Sequence, residues 1–518
     1  MLILLRNCFL VDGTGTQGVQ SDVLIQDNII SDIGSFPNIK ADRVIDLAGF
    51  TVTPGFIDVN VDSDHYFTLF SDPGQKSLLA QGITSIVGGN SGTSLAPLFG
   101  DGILSLRKWA DPNQININWG SFGEFISWLN TRKFGVNFGS LVGHSTIRRG
   151  LMGDSLVPLG KNEYKKFVYL IEQSLKEGAF GFSTGLAYSR ASHVSNEELF
   201  ELTKSIAHRK GVYSCYPKGE QGIERGVREV ISLAKENDLI TEITHLATPT
   251  TDDFRRGLEY IEEASHEISV HFDISPYHIS VKPLFTLLPT WATQRGFDQL
   301  LRYLTTSDTR ARILNDIDAR QKEIGDIVVS YAKNQWIIHG KSIKEVALNQ
   351  NLSVAETLLK ILQISENQVG GFIMDSDETL HDELLFHPLS CISSHGVGYD
   401  RVGTLNRPKI HPRSFGAFPR FLRMVREKGK ISFEEAIHKI TGTVADKYGF
   451  TKRGTVKIGN SADLVVFDPT EVGEKNTFEN PTHYSSGIIM VFVNGVLSYE
   501  RGNFLNSSSG QIIQPSPH

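Results

Sequence analysis

The stretch PGFIDVNVDSDHY, Pro54 to Tyr66, decides how the rest of the chain is read. Its first half is a β-rich apolar run entered through Pro-Gly, the pattern of a strand that opens a barrel. Its second half carries Asp62, Asp64 and His65, a locally acidic and ligand-capable loop. The bland reading of such loop residues is that they face water.

Beyond this strand, strand-like runs alternate with helical periods. TSIVGGN, FGSLVGHS, GAFGFSTG, GVYSCY, ITEITHLA, ISVHFDISPY and LSCISSHG are short, β-branched or small-residue runs. KNEYKKFVYLIEQSLKEG and NEELFELTKSIAHRKG repeat apolar residues at helical spacing and end at glycine. About eight such units between Pro54 and Phe450 predict an α/β fold, a (β/α)8 TIM-like barrel over residues 54–450. The region near 284–344 breaks the rhythm and reads as an insertion, a candidate lid over the barrel mouth. A doubly wound open sheet is the alternative. Its phosphate loop would have to be VGGNSGTSLAP, which lacks the GxGxxG spacing.

The two ends read alike. Residues 1–53 and 451–505 are short strands broken by Asn-Gly and Asp-Gly turns, and neither could bury a sheet face alone. Packed together they are expected to form one small β-sandwich. The tail 506–518 contains Ser, Gly and Pro and is expected to fray.

A chain of 518 residues is long for one core. The formal net charge of −7 carries no basic footprint for nucleic acid. No apolar run reaches the length of a bilayer span. The N-terminal MLILLRNCFLVDGTG lacks the basic lead and cleavage site of a signal peptide, and reads as a strand and turn. Cys8, Cys215 and Cys391 show no CxxC spacing, which suits a reducing cytoplasm.

The motifs GFTVTPGFID, QGITSIVGGNSGTSLAPL, VGHSTIRRGLMG, EGAFGFSTGLAYS, EITHLA, HPRSFGAFPRFL, RGTVKIGNSADLVVFDP and FENPTHYSSGI follow one another from about Leu4 to about Gly510. Together they resemble the N-acyl-D-amino-acid deacylases, a branch of the metal-dependent amidohydrolase superfamily. The resemblance implies a barrel with its site at the C-terminal strand ends, and hydrolysis of a non-peptide C–N bond in a small carboxylate-bearing amide. It also implies zinc, which would lower the pKa of a bound water and polarise the carbonyl.

Carried over one at a time, most family ligand positions are changed. The His-x-His of the first strand falls on Asn60 and Asp62. The cysteine of the second strand falls on Ser91, whose hydroxyl is a poor zinc ligand. The fifth-strand histidine falls on Tyr216, expected to fill the space of the more buried metal. The sixth-strand histidine remains as His245, and the proton-handling aspartate falls on His395. For the substrate carboxylate, Arg413 matches the family arginine and Tyr277 the tyrosine, while the family lysine falls on Ala247. Lys218 is a candidate replacement for that lysine. His144 and His193 match loop-ordering positions, and Asp273 is expected to brace the site.

Two readings of the altered set stay open. Asp62, His245 and His395 hold one divalent metal, zinc by the family's chemistry; or Asp62 and His395 form a metal-free hydrogen-bonded pair in which the carboxylate raises the imidazole pKa. In the first case Asp62 and His395 are the catalytic residues of a rebuilt hydrolase. The competing hypothesis is a catalytically silent member that binds a small carboxylate ligand or a partner on the same scaffold. A structural oligomer is a third.

Overall fold

The computed structural model describes residues 1–188, 193–219, 222–246, 251–374, 378–400 and 409–516. Eight parallel strands form the barrel: β1 (Phe56–Asp58), β2 (Ile83–Gly88), β3 (Asn137–Ser140, resumed at Val142–Gly143), β4 (Gly181–Gly185), β5 (Val212–Tyr216), β6 (Ile240–Ile243), β7 (Val270–Ile274) and β8 (Ser390–Ile392). The ring closes beyond the ends of β8 and β1, where the amide of His395 donates to the Asn60 carbonyl at 3.0 Å and that of Asp62 to the Gly396 carbonyl at 2.8 Å. Ser394 braces the same seam by donating its backbone N–H to both oxygens of Asp58.

Helices wrap the strands because their apolar stripes match. In Ile223–Asn237 the buried positions Ile223, Val227, Val230, Ile231 and Ala234 recur at helical spacing, and Asp238 ends the helix in the left-handed region. Asn196–Ala207 starts where Ser195 Oγ accepts from the Glu198 amide. Phe182, Tyr213, Ile243 and Phe272 on the strands pack into one core with such helix residues as Phe167, Val227 and Phe418. Phe180, Val212, Tyr448 and Phe450 form a smaller apolar cluster of their own.

Both termini build a single nine-stranded sheet, in which Thr51–Pro54 pairs with Leu464–Phe467. Residues from its two wings, among them Val23, Ile30, Leu464, Phe492 and Leu497, share one core. Between β7 and β8 lies the insertion, a three-stranded antiparallel sheet of Ile279–Pro283, Val369–Met374 and Val328–Ala332 with its own helices and its own core around Leu300, Ile313 and Leu358. It runs from Ile279 to Met374, wider than 284–344, because the strands Ile279–Pro283 and Val369–Met374 that pair with each other lie outside those bounds.

The tail departs from expectation. Gly510 donates to the Phe134 carbonyl at 2.7 Å, Phe138 to that of Gln511 at 2.9 Å, and Ser516 to that of Gly449 at 2.9 Å. These main-chain bonds run the tail along β3 and hold it in place. A Cβ at Gly510 would sit 2.0 Å from the Val136 carbonyl oxygen, so only glycine permits the approach. No helix among the described residues is long and apolar enough to cross a membrane.

Candidate active site

Asp273 is the hub. It lies on β7, where alternate residues share a face, so His271 and Asp273 point the same way. Its Oδ2 accepts from Asn60 Nδ2 at 2.6 Å, and its Oδ1 accepts from the His245 backbone N–H at 3.2 Å and faces His395 Nε2 at 3.2 Å. Burial alone would raise the carboxyl, but the His395 and His245 imidazoles and the Asn60 amide outweigh it and hold the pKa at about 2. The carboxylate is therefore ionised.

His395 is gripped at both ring nitrogens. Nε2 faces Asp273, and Nδ1 lies 3.0 Å from His245 Nε2, with the two rings edge to face at 80°. Tyr216 packs on His245 with ring centroids 4.7 Å apart, and Tyr188 meets Tyr216 edge-on at 5.7 Å. Ser91 is buried on the turn after β2 and hydrogen-bonds the Tyr188 phenol. Ser91, His245 and His395 all hold left-handed φ, at 52°, 53° and 48°. Non-glycine residues in this region each cost on the order of 1–3 kcal/mol, and such strain gathers at functional sites.

His245, Asp273, His395, Tyr277 and Arg413 line one small cavity. Arg413 is buried at the start of the helix Arg413–Lys428. The Tyr277 hydroxyl donates to Asn476 Oδ1 at 2.9 Å, and the Arg420 guanidinium covers its ring, so the tyrosine is a wall that holds Asn476. Lys218 pairs with Glu229 at 3.4 Å. Ala247 lies outside the described residues. His144 bonds Glu198 through Nε2 at 2.9 Å.

Asp62 stands apart from this cavity, against expectation. Its Oδ1 meets His65 Nδ1 at 3.0 Å, so the expected Asp62–His395 pair is replaced by Asp62–His65. The physical reason is that β1 ends at Asp58 and the chain then turns, with the Tyr66 amide donating to the Asp62 carbonyl at 3.0 Å. Strand alternation no longer governs residue 62 there. The other ring nitrogen of His65 faces the Thr93 carbonyl at 3.0 Å. Both nitrogens thus face acceptors. Burial opposes the charge, but Asp64, Asp62 and the Thr93 carbonyl outweigh it and raise the pKa, so with an acceptor at each nitrogen the site favours the imidazolium. It stacks on Trp109 at 4.2 Å.

Among the described residues, no group of three or more His, Cys, Asp or Glu is arranged to hold a metal ion. The trio Asp62, His245 and His395 is not assembled: one member is taken by His65 and the other two face each other. With Asn60 turned by its amide nitrogen to Asp273 and a neutral hydroxyl at Ser91, this donor set does not fit a zinc ion.

Sequence reasoning missed Trp109 and Lys108, which reach the site from a 3-10 turn between β2 and β3. It also missed a buried polar pair below Asp273. Glu242 and His271 lie in register on β6 and β7, with His271 Nε2 4.0 Å from Glu242 Oε1 and, among the described residues, no hydrogen-bond partner at either His271 nitrogen. Burial pushes His271 well below its usual range and Glu242 well above, and the Tyr448 hydroxyl donates to Glu242. The period-2 spacing of His271 and Asp273 was the available signal.

Residues 43–499 match the amidohydrolase family. The chain belongs to that family, in its D-aminoacylase branch. The amidohydrolase chain is 29% identical to a D-aminoacylase of Alcaligenes xylosoxydans xylosoxydans, over 99% of this chain and 97% of the relative. It is also 29% identical to an N-acyl-D-aspartate deacylase of the same organism, over 99% and 95%. Among solved structures, the N-acyl-D-glutamate deacylase of Bordetella bronchiseptica, complexed with zinc and a phosphonate inhibitor, is 26% identical with a TM-score of 0.84 and 99% of both chains covered. A D-aminoacylase with a binuclear metal centre is 28% identical with a TM-score of 0.82, again over 99% of each chain. Of these, the first solved structure holds zinc and the second is described with a binuclear metal centre.

Proposed function

We propose that this amidohydrolase cleaves the amide of a small carboxylate-bearing compound, with the His395–His245 pair as acid and base and Asp273 orienting it. The observation that carries the reading is the grip on His395: an ionised carboxylate at Nε2 and a second imidazole at Nδ1, in a cavity that Arg413 also lines. A carboxylate that fixes one ring nitrogen and stabilises the imidazolium is what a histidine base requires. The substrate carboxylate docks on the Arg413 fork. Because both nitrogens of His395 are engaged, His245 is the member that takes the proton from water, as the water oxygen bonds to the carbonyl carbon and the C=O π electrons move to oxygen. Collapse of that intermediate breaks the C–N bond, and the pair returns the proton to nitrogen. The products are a carboxylate and an amine. Three free, buried cysteines support a reducing, cytoplasmic setting.

A second reading is favoured by one observation. Asn60 and His65 occupy Asp273 and Asp62, the two carboxylates nearest the old ligand positions, which suits a silent carboxylate binder. A panel of N-acyl amino acids of both hands, assayed with wild type, His395→Ala and Arg413→Met, separates the two. Turnover that vanishes in His395→Ala and shows a raised KM in Arg413→Met supports the hydrolase. Turnover that survives His395→Ala removes it. No turnover on any member, with a carboxylate-induced rise in melting temperature, establishes the binder.

A further inference from the structure

A second cavity, of about 470 Å³, opens between the turn after β1 and the connection from β2 to β3. The short helix Thr68–Ser71 supplies Phe70, the helix Phe122–Asn130 supplies Trp128, and residues 114–119 close a third side. The volume is in the usual range of small-molecule pockets. No lining residue is shared with the cavity of His245, His395 and Arg413.

Three kinds of group line it. The first is a cluster of rings: the centroids of Trp119 and Trp128 are 4.9 Å apart, and Phe70 meets Trp128 edge-on at 5.4 Å. Trp119 is buried and donates its indole N–H to the Leu95 carbonyl at 2.7 Å, which fixes the cluster. Phe70 and Trp128 are half-buried and keep ring surface at the cavity. The second is a row of exposed amides, Gln114, Asn116 and Asn118, at alternate positions of a segment that is extended at Ile115. The third is a pair of exposed cations, Arg132 and Lys133, and no carboxylate lines the cavity among the described residues. Among those residues the three amides make no side-chain hydrogen bond, and neither cation makes an ion pair. The Arg132 guanidinium lies 4.7 Å from the Trp128 ring centroid, a contact that leaves its N–H edges open to an anion. Cations just past a helix also suit its negative end, which accounts for their sign but not for the rings and amides beside them.

Each group specifies part of a ligand. Exposed aromatic faces take a flat ring, and stacking on them tolerates any base because every base has a π-face. Asn and Gln amides match the donor and acceptor edge of a base. Arg and Lys with no carboxylate beside them take phosphate. We propose that this cavity binds a nucleoside monophosphate, its base on Trp128 and Phe70, the base edge toward the amide row and the phosphate on Arg132 and Lys133. The site does not depend on the reaction assigned to the histidine cavity.

The test is calorimetric titration of the full chain with adenosine 5′-monophosphate. Wild type binds it saturably. Adenosine and inorganic phosphate each bind about tenfold more weakly, because each lacks one half of the contacts. Trp128→Leu weakens the nucleotide about tenfold, the scale of one lost base stack, and Lys133→Met weakens it about fivefold. Arg413→Met binds as wild type does. If Trp128→Leu melts well below wild type, Lys133→Met alone decides, because that side chain is exposed and its loss spares the fold. Absence of saturable binding, adenosine or phosphate binding as tightly as the nucleotide, equal affinity in the folded variants, or loss of binding in Arg413→Met overturns the proposal. The last outcome would place the probe in the histidine cavity.

Discussion

The amide nitrogen of Asn60 stands 2.6 Å from the carboxylate of Asp273, joining the turn after β1 to β7 from 213 residues away in the chain. Here a neutral side chain delivers hydrogens to a carboxylate. Asn60→Leu keeps the volume and removes the donor, leaving an ionised, buried oxygen short of a partner. Hydrogen bonds to charged groups contribute about 1.5–3 kcal/mol, so chemical denaturation should find a loss of about 2 kcal/mol. A loss under about 0.5 kcal/mol would mean that the contact is not a supporting one.

Asp273 also makes stability depend on acid. Its pKa in the fold, about 2, lies below the ordinary value of 3.8. A carboxyl depressed on folding stabilises fully above its unfolded value, and the gain is lost as pH falls through the folded one. The window therefore runs from about pH 4 down to about pH 2, with a loss on the order of 2 kcal/mol. Asp273→Asn lacks this titration. The stability gap between wild type and variant should narrow as the solution is acidified through that window, and parallel curves would contradict an ionised Asp273.

His65 runs the other way. Its pKa is raised by Asp64, Asp62 and the Thr93 carbonyl against the pull of burial. A raised imidazole stabilises fully below its unfolded value near 6.5, and the gain is lost as pH rises through the folded value. Proton NMR of the His65 ring should show it still protonated at pH 7. In Asp62→Asn its titration should move to lower pH. A ring that is neutral at pH 7 in the wild type would refute the imidazolium.

Gly510→Val tests the tail. The new Cβ would collide with the Val136 carbonyl, and overpacking of this kind costs about 1–3 kcal/mol. Limited proteolysis should cut the variant after Leu505 at concentrations that leave wild type intact. Equal resistance would show that the tail is held without the Gly510 contact.

The barrel was legible because its signals are local. Runs such as GVYSCY and ITEITHLA carry their own period, and the helices between them carry another. Both terminal sheets could be joined because neither buries a face alone. The site was less legible because ring contacts depend on closure. Asp62 was assigned by strand alternation, yet β1 had ended four residues earlier, and the turn hands its carboxylate to His65. Trp109 and Lys108 come from a turn that no motif connects to the site. The tail was misread because composition reports a coil's flexibility and says nothing of the main-chain partners it finds at Phe134 and Phe138.

The nine-stranded sheet also sets an order of events during synthesis. The strand Thr51–Pro54 leaves the ribosome some 400 residues before its neighbour Leu464–Phe467 exists. At about 5–20 residues per second, that edge waits on the order of 20–80 s with its hydrogen-bonding row open. The barrel is threaded between the two halves of this clasp, so its first and last strands are fastened only when translation is nearly over. A chain released early would present a half-built sheet with that row unpaired.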